Sequence, residues 1–254
     1  MTVGAHACSA GDRLTVLSQV PFFTGLSTAE LRDINVRIRA AWYRAGEAVY
    51  RMGESGSCLF IVASGAVKLV RPSGSGQSVL LEVITPGGSF GALGSSAASC
   101  YGETARSLDG SCILMLTGAD SRLILRQHPS VALAALDDLA HRLEKSHQAI
   151  RQLSADTVEQ RVAATLLGLD EKLRQYAPDG ISQPRIPLSR GELASMAGTT
   201  AESVSRVMSQ WRGRRIILSG RRWTTISDHD ALAEMAAGTG QSNGGCGGKA
   251  ATKG

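Results

Sequence analysis

Three side chains able to read a nucleic acid stand close together in the sequence: Glu202, Ser205 and Arg206. An arginine guanidinium matches guanine O6 and N7 bidentately, and a carboxylate accepts from the cytosine amino group. The spacing i, i+3, i+4 places all three on one face of a helix. Val204, Val207, Met208 and Trp211 repeat that spacing on the opposite face as an apolar stripe. Thr199 or Thr200 caps this helix, which runs to about Arg212, and Gly198 breaks the chain before it. Thr199-x-x-Glu202 is also a capping-box pattern, which would give Glu202 a structural task instead. Upstream, Ser189-Arg-Gly-Glu192 opens a shorter helix ending near Ala197 in the same way. Two short helices joined by a glycine turn, the second polar on its outer face, predict a helix-turn-helix.

The charge is focused around that motif. The whole chain carries +5, yet residues 185–222 alone hold eight arginines and two acids. A concentrated basic window attracts a polyanion because each neutralised phosphate releases counterions. Arg190, Thr200, Arg221 and Arg222 are the candidates for DNA backbone contacts, with a solvated arginine surface as the alternative. Ile216 to Ile226 reads as a hairpin turning at Gly220, a wing that holds Arg221 and Arg222 near phosphates.

The elements that position this motif follow from the patterning. Residues 1–13 read as a flexible N-terminus, without the basic and apolar pattern of a secretory signal. Over residues 14–129 short apolar runs such as 58–62, 66–70, 79–84 and 112–116 are separated by glycines, predicting an antiparallel β-roll. Residues 130–155 carry Leu136, Leu143 and Ile150 at seven-residue spacing, with Leu139 and Leu153 in a second row. That seam predicts a helix pairing with its twin in a homodimer. Residues 156–237 form the helix-turn-helix domain, and 238–254 is a glycine-rich tail without a core pattern. The fold class is α+β. Five scattered cysteines without a CxxC pair argue against a disulfide scaffold and a zinc site, so no metal site is expected. No apolar run is long enough to cross a bilayer, and a cytoplasmic protein is expected.

In combination these motifs resemble the transcription regulators of the cyclic-AMP receptor protein and fumarate-nitrate reductase regulator (CRP/FNR) superfamily, from about Leu17 to Met235. The resemblance rests on Gly25-Leu-Ser27, residues 45–53 and 64–68, Pro86-Gly-Gly-Ser-Phe-Gly91, the long helix and, most specifically, residues 193–206. It implies an N-terminal double-stranded β-helix (jelly-roll) of the cyclic-nucleotide-binding type, a dimerisation helix and a C-terminal winged helix-turn-helix. It places base readout on Glu202, Ser205 and Arg206, and a palindrome with TTGA-like half-sites about one helical turn, ~34 Å, apart. Ala201 stands where the cyclic-AMP branch has an arginine. The resemblance also implies double-stranded DNA and RNA polymerase as partners; the turn at Ala177-Pro-Asp-Gly180 resembles an activating loop or is a plain turn.

The effector region departs from the cyclic-nucleotide pattern. Its candidates are Gly91, Ala92, Leu93, Tyr101, Glu103 and Thr104. Cyclic-nucleotide binders of this family carry a glutamate where this chain has Ala92. Their arginine-serine or arginine-threonine pair is replaced by Cys100-Tyr-Gly-Glu-Thr104. A site without a cation and with an added carboxylate repels a phosphate, which argues for an effector other than cyclic AMP. Arg106 is nearby, its direction open. An iron-sulfur cluster lacks its cysteine set, since only Cys8 lies near the N-terminus. His6, His128, His141, His147 and His229 leave haem ligation open, and Cys100 or Cys112 leaves a thiol switch open. The cofactor is therefore unknown. Two other function classes fit the sequence less well. A ligand-sensor module acting without DNA conflicts with the helix-turn-helix. An enzyme lacks any P-loop, nucleophile elbow or HExxH.

Overall fold

Alternating side chains and glycine corners fold the N-terminal half into a roll. The computed structural model describes residues 10–73, 78–93, 100–175 and 183–238. Helix α1 (Ala10–Gln19) and α2 (Thr28–Val36) precede eight strands. The helix α1 takes in the last residues of the stretch expected to be flexible. Ser27 and Glu30 close the capping box of α2 in both directions. The strands are β1 (Arg39–Tyr43), β2 (Ala48–Tyr50), β3 (Cys58–Ser64), β4 (Val67–Pro72), β5 (Ser78–Ile84), β6 (Ser89–Gly91), β7 (Thr104–Ser107) and β8 (Ser111–Thr117). They form two antiparallel four-stranded sheets, in the orders β1-β8-β3-β6 and β2-β7-β4-β5. Tyr50, Phe60, Val62, Val67, Ile84, Phe90, Ala105 and Ile113 fill the space between them. A second core packs β3 and β8 against α1, α2 and the start of the long helix.

After α3 (Gly118–Gln127), Pro129 starts the long helix α4 (Pro129–Ala155) at a position where its missing N–H costs nothing. Only Asp156 and Thr157 separate α4 from α5 (Val158–Arg174), and Thr157 and Gln160 form a further capping box. Then come α6 (Arg190–Met196), α7 (Ala201–Gly213), β9 (Ile217–Ser219), β10 (Thr224–Ile226) and α8 (His229–Ala237). Val162, Leu166, Leu193, Val204, Met208, Trp211, Ile226 and Leu232 are buried together as the core of this domain.

That core does not stop at the domain edge. Ala66, just before β4, and Val70, Leu80 and Val83, on the outer face of β4 and β5, belong to the same cluster. The helix-turn-helix therefore lies on the roll rather than hanging free from α4. Lys68 Nζ donates to Glu192 Oε1 at 2.7 Å, and Lys172 Nζ to Glu82 Oε1 at 3.2 Å, across this contact. Among the described residues no helix is long and apolar enough to cross a membrane. Residues 1–9, the turn at 177–180 and the tail from 239 lie outside the described residues, with Cys8 and Cys246.

Candidate nucleic-acid interface and sensor pocket

The N-terminal turn of α7 presents the predicted reading face. Thr200 is its N-cap: the Ser203 amide donates to Thr200 Oγ1 at 3.2 Å. Thr199 therefore makes no capping box with Glu202. The side chain of Glu202 is 88% exposed and that of Arg206 70%, and they approach to only 4.0 Å. Ser205 Oγ donates back to the Ala201 carbonyl at 2.7 Å. Val204, Met208 and Trp211 are wholly buried beneath them. Trp211 Nε1 donates to Glu159 Oε1 at 3.0 Å, which fixes α7 to α5. Gly198 sits at φ +58, a left-handed turn that suits glycine, and so lets α6 end just before α7 begins.

The basic frame is divided. Arg221 and Arg222 are exposed at the hairpin turn, where the Gly220 amide donates to the Trp223 carbonyl at 2.9 Å. Arg222 stands 3.6 Å from Glu192 Oε2, and Arg185 lies over the Trp223 ring at 4.9 Å. Arg190, expected on phosphates, is instead turned inward. It donates to Ser219 Oγ at 2.9 Å and Thr224 Oγ1 at 3.5 Å and touches the Met208 sulfur, bridging α6, α7 and the hairpin. Burial, and then the nearby Arg212, pull its pKa below the ordinary value.

Sequence reasoning missed Glu192's second task. Its Oε2 accepts from the Ser189 amide at 2.9 Å as the capping box requires, while Oε1 takes Lys68 from the roll. Burial alone would raise its pKa; the Lys68 ammonium and the Ser189 donors outweigh that and hold it below the ordinary value. The apolar outer positions Ala66, Val70, Leu80 and Val83 were the available signal. A strand apolar on both faces is covered on both.

The leucine seam of α4 is open to solvent. Leu136, Leu139, Leu143, Ile150 and Leu153 are 51–62% exposed, and Leu133 extends the stripe. A monomer rarely leaves so continuous an apolar row uncovered.

The sensor pocket candidates come together around packed side chains. Tyr50 and Tyr101 stack with centroids 3.7 Å apart, and Phe60 and Phe90 stack at 5.3 Å beside them. Tyr50 Oη donates to Glu103 Oε1 at 2.8 Å, so the added carboxylate turns inward and is occupied. Burial, and then Glu103 itself, push the Tyr50 phenol far above its ordinary pKa, which keeps it a donor. Thr104 Oγ1 accepts from the Met52 amide at 3.0 Å. Gly91 sits at φ +87, where a Cβ would meet the Cys58 carbonyl oxygen at 2.6 Å. The Ala92 amide donates to that carbonyl at 2.9 Å. Leu93 leaves this group and packs with the helical core. Arg106 alternates with buried Ala105, points outward and donates to the Gly46 carbonyl at 3.1 Å, bringing no cation into the roll.

The remaining candidates scatter. His128 pairs with Glu30 at 3.3 Å and His229 with Asp170 at 2.8 Å, while His141 and His147 lie exposed on α4. Among the described residues no three His, Cys, Asp or Glu side chains gather as a metal site. Cys100 is exposed with a free thiol. Cys112 is buried in β8 and disulfide-bonded, where the scattered cysteines had argued against such a bond.

Comparison with known proteins agrees with this arrangement. Residues 160–235 match the model of a Crp-like helix-turn-helix domain, and residues 41–128 that of a cyclic nucleotide-binding domain. The chain is similar to the cyclic AMP receptor protein of Thermus thermophilus, 31% identical over 220 residues, covering 86% of this chain and 97% of that one. It is 23% identical over 225 residues to the fumarate and nitrate reduction regulatory protein of Escherichia coli K12, covering 87% of each. The solved structure of FixK2 from Bradyrhizobium japonicum shares the fold, with a TM-score of 0.67 at 23% identity over 78% of this chain and 96% of that one.

Proposed function

Since the chain belongs to the CRP/FNR superfamily of DNA-binding transcription regulators, which are not enzymes, we propose that it works as a cytoplasmic homodimer reading a palindrome. The observation that carries this reading is the first two turns of α7, where Glu202 and Arg206 are exposed while the other face is buried. Arg206 reads a guanine and Glu202 a cytosine amino group, in TTGA-like half-sites. Ser205 lies beside Arg206 on the same face. Thr200, Arg221 and Arg222 meet the flanking phosphates, which position the helix without carrying sequence information. The open α4 seam pairs two chains and spaces the two recognition helices. RNA polymerase is the partner through which such a dimer acts on transcription.

An effector other than cyclic AMP controls this dimer through the roll. The stacked Tyr50 and Tyr101, the inward Glu103 and the outward Arg106 offer a cyclic phosphate no counter-charge. A second reading, control by a cyclic nucleotide, draws on relatives whose names include cyclic AMP, at 31% and 25% identity. Fluorescence anisotropy with a TTGA palindrome and a scrambled duplex, each with and without cyclic AMP, separates these readings. Salt-sensitive preference for the palindrome, unchanged by cyclic AMP, is expected. Equal binding to both duplexes refutes sequence-specific reading. A large gain on adding cyclic AMP favours the second reading.

A further inference from the structure

The recognition helix has to be held at a defined angle to the dimer helix if two copies are to fit one palindrome. Only Asp156 and Thr157 join α4 to α5, and a two-residue junction of extended backbone does not fix an angle alone. One side chain bridges the gap. Arg161, on the first turn of α5, donates from Nη1 to the Asp156 carbonyl at 2.6 Å. Its Nε donates to the Ala197 carbonyl at 2.8 Å, and its Nη2 to the Gly198 carbonyl at 3.3 Å. The first carbonyl belongs to the C-cap of the dimer helix. The other two belong to the turn between α6 and α7. A guanidinium has five N–H donors in a rigid plane, so it ties three carbonyls in a geometry an ammonium cannot copy.

The same turn is touched from the dimer helix itself. A Cβ built on Gly198 would lie 2.1 Å from Leu153 Cδ2. Leu153 is the last residue of the exposed seam and is half open to a second chain. The seam therefore ends on the turn that Arg161 clamps.

We propose that Arg161 is a positioning residue for DNA reading: with Leu153 it sets the angle between the dimer helix and the recognition helix, and so the spacing of half-sites the protein accepts. This rests on the proposed dimeric reading of a palindrome. Arg161 has no part in base contact, so its loss should spare a single half-site and blunt the discrimination between spacings.

The test compares the full-length chain with Arg161→Gln and Arg161→Lys. Duplexes carry one half-site, or two half-sites with the separation varied by single base pairs. The angle is read independently by spin labels on ketone-bearing unnatural residues at Lys145 of α4 and Gln210 of α7, diluted with unlabelled protein. For Arg161→Gln we expect roughly tenfold weaker binding to the preferred palindrome, unchanged half-site binding, a flattened spacing profile and a broadened label distance. Arg161→Lys, which keeps the charge but not the fork, should show the same pattern to a lesser degree. Equal losses on half-site and palindrome would mean that Arg161 acts on folding or on DNA directly, and would overturn the proposal. So would an unchanged spacing profile and label distance. If the wild-type chain binds no duplex, the DNA reading fails. The label distance then decides separately whether Arg161 fixes the angle, and an unbroadened distance refutes that too.

Discussion

Replacing Leu143 by aspartate should dissolve the dimer while leaving the monomer folded. Six apolar residues on α4 stand in the open stripe, at 51–65% exposure: Leu133, Leu136, Leu139, Leu143, Ile150 and Leu153. Full burial of such a side chain contributes about 1.5–3 kcal/mol, so covering the exposed part of each gives about 1–1.5 kcal/mol. Two chains then gain about 12–18 kcal/mol, against about 4–15 kcal/mol of lost motional freedom on association. The margin is modest, so the dimer is sensitive to single positions. Leu143→Asp removes two of these contributions, about 2–3 kcal/mol, and sets two carboxylates into the seam. The dissociation constant should rise at least about 30-fold. Sedimentation velocity over a dilution series measures this, with circular dichroism as a check on helix content. Leu143 is exposed and stands outside the three apolar cores, so the monomer should keep its helicity. An unchanged association constant would refute the seam. A collapse of helicity would show instead that Leu143 supports the monomer fold.

Arg206→Ala should leave stability unchanged, because its partner Glu202 is 4.0 Å away and exposed. Affinity should fall by about 1–3 kcal/mol with relaxed specificity at one base pair, read by competition with single-base variants; an equal fall on all sequences would assign Arg206 to phosphate instead. Glu192 has a depressed pKa in the folded chain, so its contribution is present above the unfolded value and is lost as pH falls through the folded one. In Lys68→Met that depression shrinks, so neutral stability should drop and the acid-side slope flatten in denaturant titrations across acidic pH. An unchanged slope would mean the bridge from the roll carries no weight. Gly198→Ala forces a side chain into the left-handed region and against Leu153, and should cost about 1–2 kcal/mol in chemical denaturation. An unchanged midpoint would show that Leu153 simply swings away.

The parts of the fold with local signals were legible in the sequence. The capping box that Ser189-x-x-Glu192 predicts does form. The seven-residue leucine spacing marked α4, and glycine corners marked the roll. What depended on long-range packing was not legible. Nothing in the order of residues places Lys68 against Glu192, 124 positions away, or turns Arg190 into its own domain. Nor does it say that Tyr50 hydrogen-bonds Glu103 inside the roll. On the exposed face of α7 the sequence left Glu202 between two tasks, and the choice of Thr200 rather than Thr199 as cap removes the capping one.

The DNA that the protein chooses is the most direct test of sequence-specific reading by a dimer. Selection from random duplexes with the purified full-length chain, followed by sequencing, measures that without assuming a site. An enriched palindrome of TTGA-like half-sites whose centres lie about one helical turn apart is expected, with loss of preference at one base pair of each half-site in Arg206→Ala. Enrichment of no motif, or of a motif without two-fold symmetry, would contradict that reading.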